Sequence, residues 1–199
     1  MIAVINYKAG NLASVCNALD RMGMPYQIAD SPSELDDASG VIFPGVGHAK
    51  PAMESLRENN LDSWLKNTGK PVLGICLGMQ LLYESTEEGG GTEGLGIIPG
   101  RLVRFDASEA KVPHMGWNTF ASMRDHPILE KIKRSDYFYY VHSYYAPVNK
   151  FTTASCRYID EFASVVCRNN YVGTQFHPEK SGDPGSILLQ NFIDMVASG

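Results

Sequence analysis

Two short stretches of this 199-residue sequence hold the side chains best suited to covalent chemistry: Gly74-Ile75-Cys76-Leu77-Gly78, and His177-Pro178-Glu179. The first, G-x-C-x-G, follows a short apolar run and precedes a helical pattern, which makes it the thiol form of the strand-to-helix nucleophile elbow. Its flanking glycines are expected to permit the sharp turn, leaving the sulfur exposed at the edge of a sheet and at a helix N-terminus. A helix dipole favours an anion there by about 0.3–1 kcal/mol. Because one pKa unit corresponds to about 1.36 kcal/mol, the helix alone does not ionise a thiol, and a base is required. His177 follows an apolar-aromatic segment and is the candidate base. Glu179, held close by the restricted backbone of Pro178, is placed to orient the imidazole and stabilise its cation. A lone G-x-C-x-G fits a small buried thiol better; its position between strand and helix, with the H-P-E downstream, decides for catalysis. Cys16, Cys156 and Cys167 lie inside helix or strand patterns without an elbow and read as buried reduced thiols.

Thiol attack on an acyl carbon also needs donors for the developing oxyanion. One is the amide of Leu77, the residue after the nucleophile. Another is expected from the loop in FPGVGHAK, residues 43–50, where Gly45 and Gly47 leave the backbone unobstructed; such a donor typically contributes about 10²–10³ in rate.

These groups must be carried by a scaffold, and the first half of the chain supplies a regular one. Residues 2–6 read as a buried strand. The segment NLASVCNALDRMG has Leu12, Val15, Cys16 and Leu19 at helical spacing and Gly23 as its stop. PYQIAD and GVIFPG read as strands, residues 48–69 as a helix broken near Asn59 and Asn60, and KPVLGI as a further strand leading into a helix LGMQLLYES. Strand and helix in alternation predict parallel βαβ units in a doubly wound α/β sheet with helices on both faces. After Glu84 the texture changes. A polar, glycine-rich loop spans 84–96, and IPGRLVRF, WNTFAS, YFYYVHSYYA, FTTASCR, FASVVCR and YVGTQF predict additional, antiparallel strands, before a last helix, GSILLQNFIDMVA. No linker or repeat divides the chain, so a single domain over 1–199 is expected.

Composition excludes several classes. The formal net charge of -5 offers no basic surplus for nucleic acid or an anionic membrane. The glycine cluster at 89–96 lacks the Lys-Ser/Thr of a phosphate-binding loop and follows no strand. No run approaches the ~18 apolar residues of a membrane span, and the N-terminal apolar run is too short for a signal peptide, so a cytoplasmic protein is expected. The four cysteines form no C-x-x-C pair and the five histidines have no metal-ligand spacing; neither a metal nor a cofactor is expected.

With GICLGMQLL, PGVGH and TQFHPEKS in this order, the chain resembles the class I glutamine amidotransferases. INYKAGNL at the N-terminus, VPHMGWN at 112–118 and YYVHSYY at 139–145 resemble the branch of that family serving histidine biosynthesis, over nearly the full length. The resemblance implies that Cys76 attacks the side-chain amide of glutamine to give a thioester and ammonia, with His177 and Glu179 as its partners. It implies that Leu77 and the Gly45-Val46 peptide form the oxyanion site, the peptide turning between two orientations. Gln80, Glu88, His142 and Ser143 match positions that hold glutamine. A TIM-barrel cyclase subunit is the implied partner, receiving ammonia through a sealed interface at Asn11, Trp117, Asn118, Tyr139 and Lys180; its ligand would favour the productive orientation of the Gly45-Val46 peptide, so that the free chain would have low glutaminase activity. Other readings stay open: the glutaminase of pyridoxal phosphate synthesis, against which GWN and VHSYY argue, a cysteine hydrolase on the same fold, or an inactive binding module. Glu88 could equally be a solvated loop charge, and Trp117 a core residue. The sequence departs from the family at Asn6-Tyr7-Lys8-Ala9-Gly10-Asn11, where Asp-Tyr-Gly-x-Gly-Asn is usual.

Overall fold

The computed structural model describes residues 1–7 and 11–198; Lys8, which carries part of the departure from the family pattern, lies outside them with Ala9 and Gly10. The first half alternates as expected: β1 (Ile2–Ile5), α1 (Leu12–Arg21), β2 (Tyr26–Ala29), α2 (Pro32–Asp36), β3 (Gly40–Gly45), α3 (Ala49–Glu58), α4 (Leu61–Asn67), β4 (Val72–Cys76) and α5 (Leu77–Leu81). Asn60, in the left-handed conformation at φ 56°, makes the break between α3 and α4. The second half adds β5 (Tyr83–Thr86), β6 (Thr92–Glu93), β7 (Ile98–Arg104), β8 (His114–Asn118), β9 (Phe120–Met123), β10 (Phe138–His142), β11 (Tyr144–Tyr145), β12 (Thr152–Arg157), β13 (Glu161–Arg168), β14 (Tyr171–Thr174) and α6 (Gly182–Ser198).

An eight-stranded sheet runs β2-β1-β3-β4-β14-β13-β12-β9. Its first five strands are mutually parallel and the last three antiparallel. Two smaller sheets, β10-β8 and β11-β7-β5-β6, stand beside it. The apolar run of β1 shows why the sheet is covered twice. Ala3 and Ile5 join the core formed with α3 and α4, whereas Ile2 and Val4 join the one formed with α1 and α6; successive side chains of a strand point to opposite faces. This is the mixed α/β architecture expected.

Three boundaries differ from the sequence reading. The helix after Cys76 ends at Leu81, and Tyr83–Thr86, read as its continuation and the start of a loop, is a strand that pairs in parallel with β7. The segments WNTFAS and YFYYVHSYYA each contribute to two strands, broken at Thr119 and Ser143, because the chain passes there from one sheet to another. None of the described helices is long and apolar enough to cross a membrane.

Candidate active site

Cys76 ends β4 in a conformation rare for a side-chain-bearing residue, φ 52° and ψ −108°, of the kind that concentrates at functional sites. The turn strain thus falls on the cysteine itself. Gly74 and Gly78 have ordinary φ angles, and they permit the turn because, as expected from sequence, a side chain at either position would be blocked by nearby backbone. A Cβ on Gly78 would stand 1.9 Å from the carbonyl oxygen of Phe43, and one on Gly74 would stand 2.9 Å from the backbone of Gly78. Helix α5 has only five residues, so the dipole invoked from sequence is that of little more than one turn. Stabilisation of an anion must come chiefly from side chains and individual amides.

The register of the parallel strands brings those groups in. On one side Gly45 of β3 is the partner of Cys76; on the other, Thr174 of β14 pairs with Ile75, so the chain beyond Thr174 runs alongside the elbow. His177 follows, and a 3-10 turn over Pro178–Lys180 folds Glu179 back beneath it. His177 Nδ1 lies 2.8 Å from Glu179 Oε1, with both side chains almost wholly buried. The remaining carboxylate oxygen, Oε2, has no partner among the described residues, so the imidazole is what the carboxylate faces. The His177 carbonyl accepts from the Ser181 hydroxyl at 2.6 Å, and the backbone N–H of His177 donates to the Tyr139 carbonyl at 2.9 Å, fixing the segment against β10. Burial alone would depress the imidazole's pKa. The hydrogen bond to Cys76 and its charge, then those of Glu179, outweigh burial and hold the pKa well above the ordinary histidine value. The arrangement therefore favours the imidazolium form of His177.

The sulfur and the imidazole open onto one cavity of about 680 Å³, ample for an amino acid. Of the residues singled out in the sequence, Leu77, Val46, Gln80, Glu88, His142 and Ser143 line it, as do Tyr139 and Lys180 at its mouth. Gly45 packs beneath, where an added Cβ would meet the Tyr7 hydroxyl and the Gly78 nitrogen at 2.6 and 2.7 Å. Glu88 is not a solvated loop charge. Its Oε2 accepts from the N–H of Ala49 at 2.6 Å, at the first turn of α3, and its Oε1 lies 3.1 Å from His48 Nδ1. This holds a carboxylate on the cavity wall, as recognition of an ammonium group requires. Gln80 has both amide hydrogens engaged, by the Tyr144 carbonyl and by Gln175 Oε1 at 3.1 Å each; only its oxygen remains for a ligand.

The outer residues divide. Trp117 is 55% exposed, which removes the core reading, and it meets Tyr139 edge-on at 5.7 Å. Met115, on the same face of β8, is also exposed. Asn118 is turned inward: it donates to the Arg157 carbonyl at 3.0 Å and accepts from the N–H of Thr119 at 2.8 Å. Asn11 precedes α1 and is half-buried.

Sequence reasoning missed a buried histidine pair behind the cavity wall. His142 Nδ1 lies 2.9 Å from the Tyr144 carbonyl, which can only accept, so Nδ1 carries the proton and Nε2 must accept. His114 Nδ1, 3.0 Å from that Nε2, is then the donor. Asn118 closes the chain through His114 Nε2 at 3.4 Å. Burial holds both rings neutral, pulling His114 down to about 4 and His142 to about 3. The motifs VPHMG and VHSYY contain both residues, but only the pairing of His142 with His114 across β10 and β8 reveals the contact. Gln175 and Arg104, the latter on the cavity wall, were likewise not singled out.

This fold and this sequence have known counterparts. The chain belongs to the class I glutamine amidotransferases: the family model described as "Glutamine amidotransferase class-I" matches residues 3–195. Within the family its similarity is to HisH. It is 46% identical over 197 residues to the imidazole glycerol phosphate synthase subunit HisH of Archaeoglobus fulgidus, covering 98% of this chain and 99% of that one. It is 43% identical over 210 residues to the same protein of Halalkalibacterium halodurans, covering 100% and 98%. Among solved structures, a putative GMP synthase protein from Thermoplasma acidophilum superposes with a TM-score of 0.76 at 20% identity, covering 99% of this chain and 94% of that one, which speaks to the fold alone.

Proposed function

We propose that this chain is the glutaminase subunit of an imidazole glycerol phosphate synthase, with Cys76 as nucleophile, His177 as proton carrier and Glu179 as the carboxylate that holds it. The observation that carries the chemistry is the strained Cys76 sharing one cavity with a buried His177–Glu179 pair 2.8 Å apart; near-full-length similarity to HisH carries the assignment within the family. The Cys76 sulfur adds to the side-chain amide carbon of glutamine. The negative charge that forms on the amide oxygen is met by the Leu77 amide and by the Gly45-Val46 peptide, which adjoins Cys76 in the sheet register. His177 gives its proton to the departing nitrogen as the carbon–nitrogen bond breaks, releasing ammonia and leaving a thioester. The neutral imidazole then takes a proton from water, whose oxygen attacks the thioester and frees glutamate and the Cys76 sulfur. Glu88 receives the substrate's ammonium group; Gln80, His142 and Ser143 complete the wall.

Ammonia released into water would be protonated and lost to the synthase reaction. The partner is therefore a TIM-barrel cyclase subunit seated over the cavity, which Tyr139 and Lys180 line, with the exposed Trp117 packed against Tyr139; Asn11, before α1, is assigned to this interface by the family resemblance. The cyclase uses the ammonia to convert PRFAR to imidazole glycerol phosphate and AICAR. Flipping of the Gly45-Val46 peptide on partner binding would make the free chain a slow glutaminase. The test is co-purification with a cyclase subunit, followed by glutamine-dependent turnover of PRFAR. Complex formation with turnover abolished by Cys76→Ala is expected. No complex, or a free chain as fast as the complex, overturns the respective claim.

A further inference from the structure

We infer that Gln175 is a further catalytic residue, one that donates an amide N–H to the sulfur of Cys76 and so stabilises the nucleophile in its ionised form. The inference rests on the reading of Cys76 as the nucleophile.

The Gln175 side chain is fully buried, and its Nε2 lies 3.8 Å from Cys76 Sγ, within the range of a nitrogen–sulfur hydrogen bond. Which end of a glutamine amide carries the nitrogen follows from its neighbours, and here the neighbours leave one solution. The carbonyl of Tyr144 can only accept, so the end of Gln80 that lies 3.1 Å from it must be the NH₂. That same NH₂ lies 3.1 Å from Gln175, whose near atom must then be the oxygen. The other end of Gln175, the NH₂, is thereby pointed at the sulfur. Turning Gln175 over would set oxygen against sulfur and NH₂ against NH₂. Turning Gln80 as well would set its oxygen against the Tyr144 carbonyl. A backbone carbonyl thus dictates, through two side chains, that a donor faces the nucleophile.

Besides His177 and Gln175, the sulfur has a polar neighbour of opposite sense. The Val141 carbonyl lies 3.8 Å from Sγ and can accept from an S–H but offers nothing to a thiolate. The thiol is therefore served by Val141 and the thiolate by Gln175. No proton passes through Gln175; it contributes a fixed dipole, which needs no reorganisation when the sulfur takes up charge. Its place is set by chain path: residue 175 directly follows Thr174, the β14 partner of Ile75, and its backbone N–H is tied to the Ser164 carbonyl at 2.9 Å.

The test is Gln175→Met in the full chain, bound to its cyclase partner for kinetics. Methionine keeps the length and volume of glutamine and removes the donor. The titratable groups facing the sulfur, His177 from the turn after β14 and Tyr7 after β1, are unchanged by it. Alkylation of Cys76 by iodoacetamide, followed across pH by mass spectrometry, is expected to shift its midpoint upward by about one pH unit, a tenfold smaller thiolate fraction below it. kcat is expected to fall at least tenfold, with KM for glutamine changed less than threefold. Gln80→Met, which leaves Gln175 in place but frees its amide to turn, is expected to shift the midpoint in the same direction and serves if Gln175→Met does not fold. An alkylation midpoint unmoved in the variants, whatever happens to kcat, overturns the inference, because loss of packing alone would not change the ionisation of the sulfur. Failure of the underlying reading looks different: Cys76→Ala would retain glutamine hydrolysis.

Discussion

The buried pair His114–His142 should make the protein acid-sensitive in a way that one substitution can isolate. In the unfolded chain both rings take up a proton near their ordinary value of 6.5; in the fold burial holds them down to about 4 and about 3. Because the folded values lie below the unfolded one, the stability they confer is complete above pH 6.5 and is lost as pH falls. Each ring that is protonated only when unfolded contributes a slope of about 1.4 kcal/mol per pH unit, so the pair removes about 5 kcal/mol between pH 6.5 and 4.5. That is a large share of the ~5–15 kcal/mol typical of a folded domain. His114→Phe keeps a ring between Tyr140 and Tyr158, on which His114 stacks at 5.0 and 4.3 Å, and removes one of the two titrations. It also orphans the acceptor nitrogen of His142, at a cost of about 1–3 kcal/mol at every pH. Urea unfolding at half-unit steps from pH 7 to 4.5, read with m constant, is expected to give a slope shallower in the variant than in the original chain by about 1.4 kcal/mol per pH unit. His126, also lowered by burial, and the carboxylates held below their usual values, Glu34, Asp106 and Glu161, are common to both proteins and cancel in the difference. His177, raised in the fold, adds a slope of opposite sign near pH 7 that fades as the unfolded ring protonates below pH 6.5, and it too is common to both proteins. Parallel lines for the two proteins would refute the reasoning.

Glu88→Gln removes the charge from the cavity wall while keeping an acceptor for the Ala49 N–H; KM for glutamine should rise at least tenfold with kcat changed less, measured by coupled detection of glutamate. Gly78→Ala drives a methyl group into the Phe43 carbonyl, 1.9 Å from the ideal Cβ. An overpacking cost of about 3 kcal/mol or more should lower Tm by about 6–12 °C in a calorimetric scan. Trp117→Ala removes an exposed anchor and should weaken binding of the cyclase about thirtyfold, about 2 kcal/mol, by titration calorimetry, leaving Tm of the free chain within about 2 °C.

How much of this was legible in the sequence depended on the range of the interaction that fixes each feature. The alternation of strands and helices to residue 76 was legible because it rests on local periodicity, and the break at Asn60 because asparagine tolerates the left-handed conformation adopted there. Helix α2 was overlooked although it carries a local signature, a capping box between Ser31 and Glu34 with Pro32 at its first position. Strand β5 was a different failure. Tyr83–Thr86 continues a helical pattern smoothly, and only its parallel pairing with Ile98–Leu102 makes it a strand. The apolar faces of YFYYVHSYYA were visible, but not that the segment changes sheets at Ser143.

The site follows the same rule. Cys76, His177 and Glu179 were identifiable because an elbow and an H-P-E are short motifs whose geometry is set within a few residues. Gln175 belongs to the same stretch, yet a glutamine in an apolar strand end carries no chemical signature of its own. It acquires one only from the placement of β14 beside β4, which brings residues 99 positions apart within hydrogen-bonding distance, and from the Tyr144 carbonyl, which orients Gln80. Insertion of β14 between β4 and the antiparallel strands therefore does more than extend the sheet. It sets His177, Glu179 and Gln175 along one flank of the sulfur, while β3 sets Gly45 on the other. A substitution that slipped β14 by one residue would reverse the faces of all its side chains, turning Gln175 away from Cys76 and a neighbouring residue toward it, even with Cys76, His177 and Glu179 all still present in the chain.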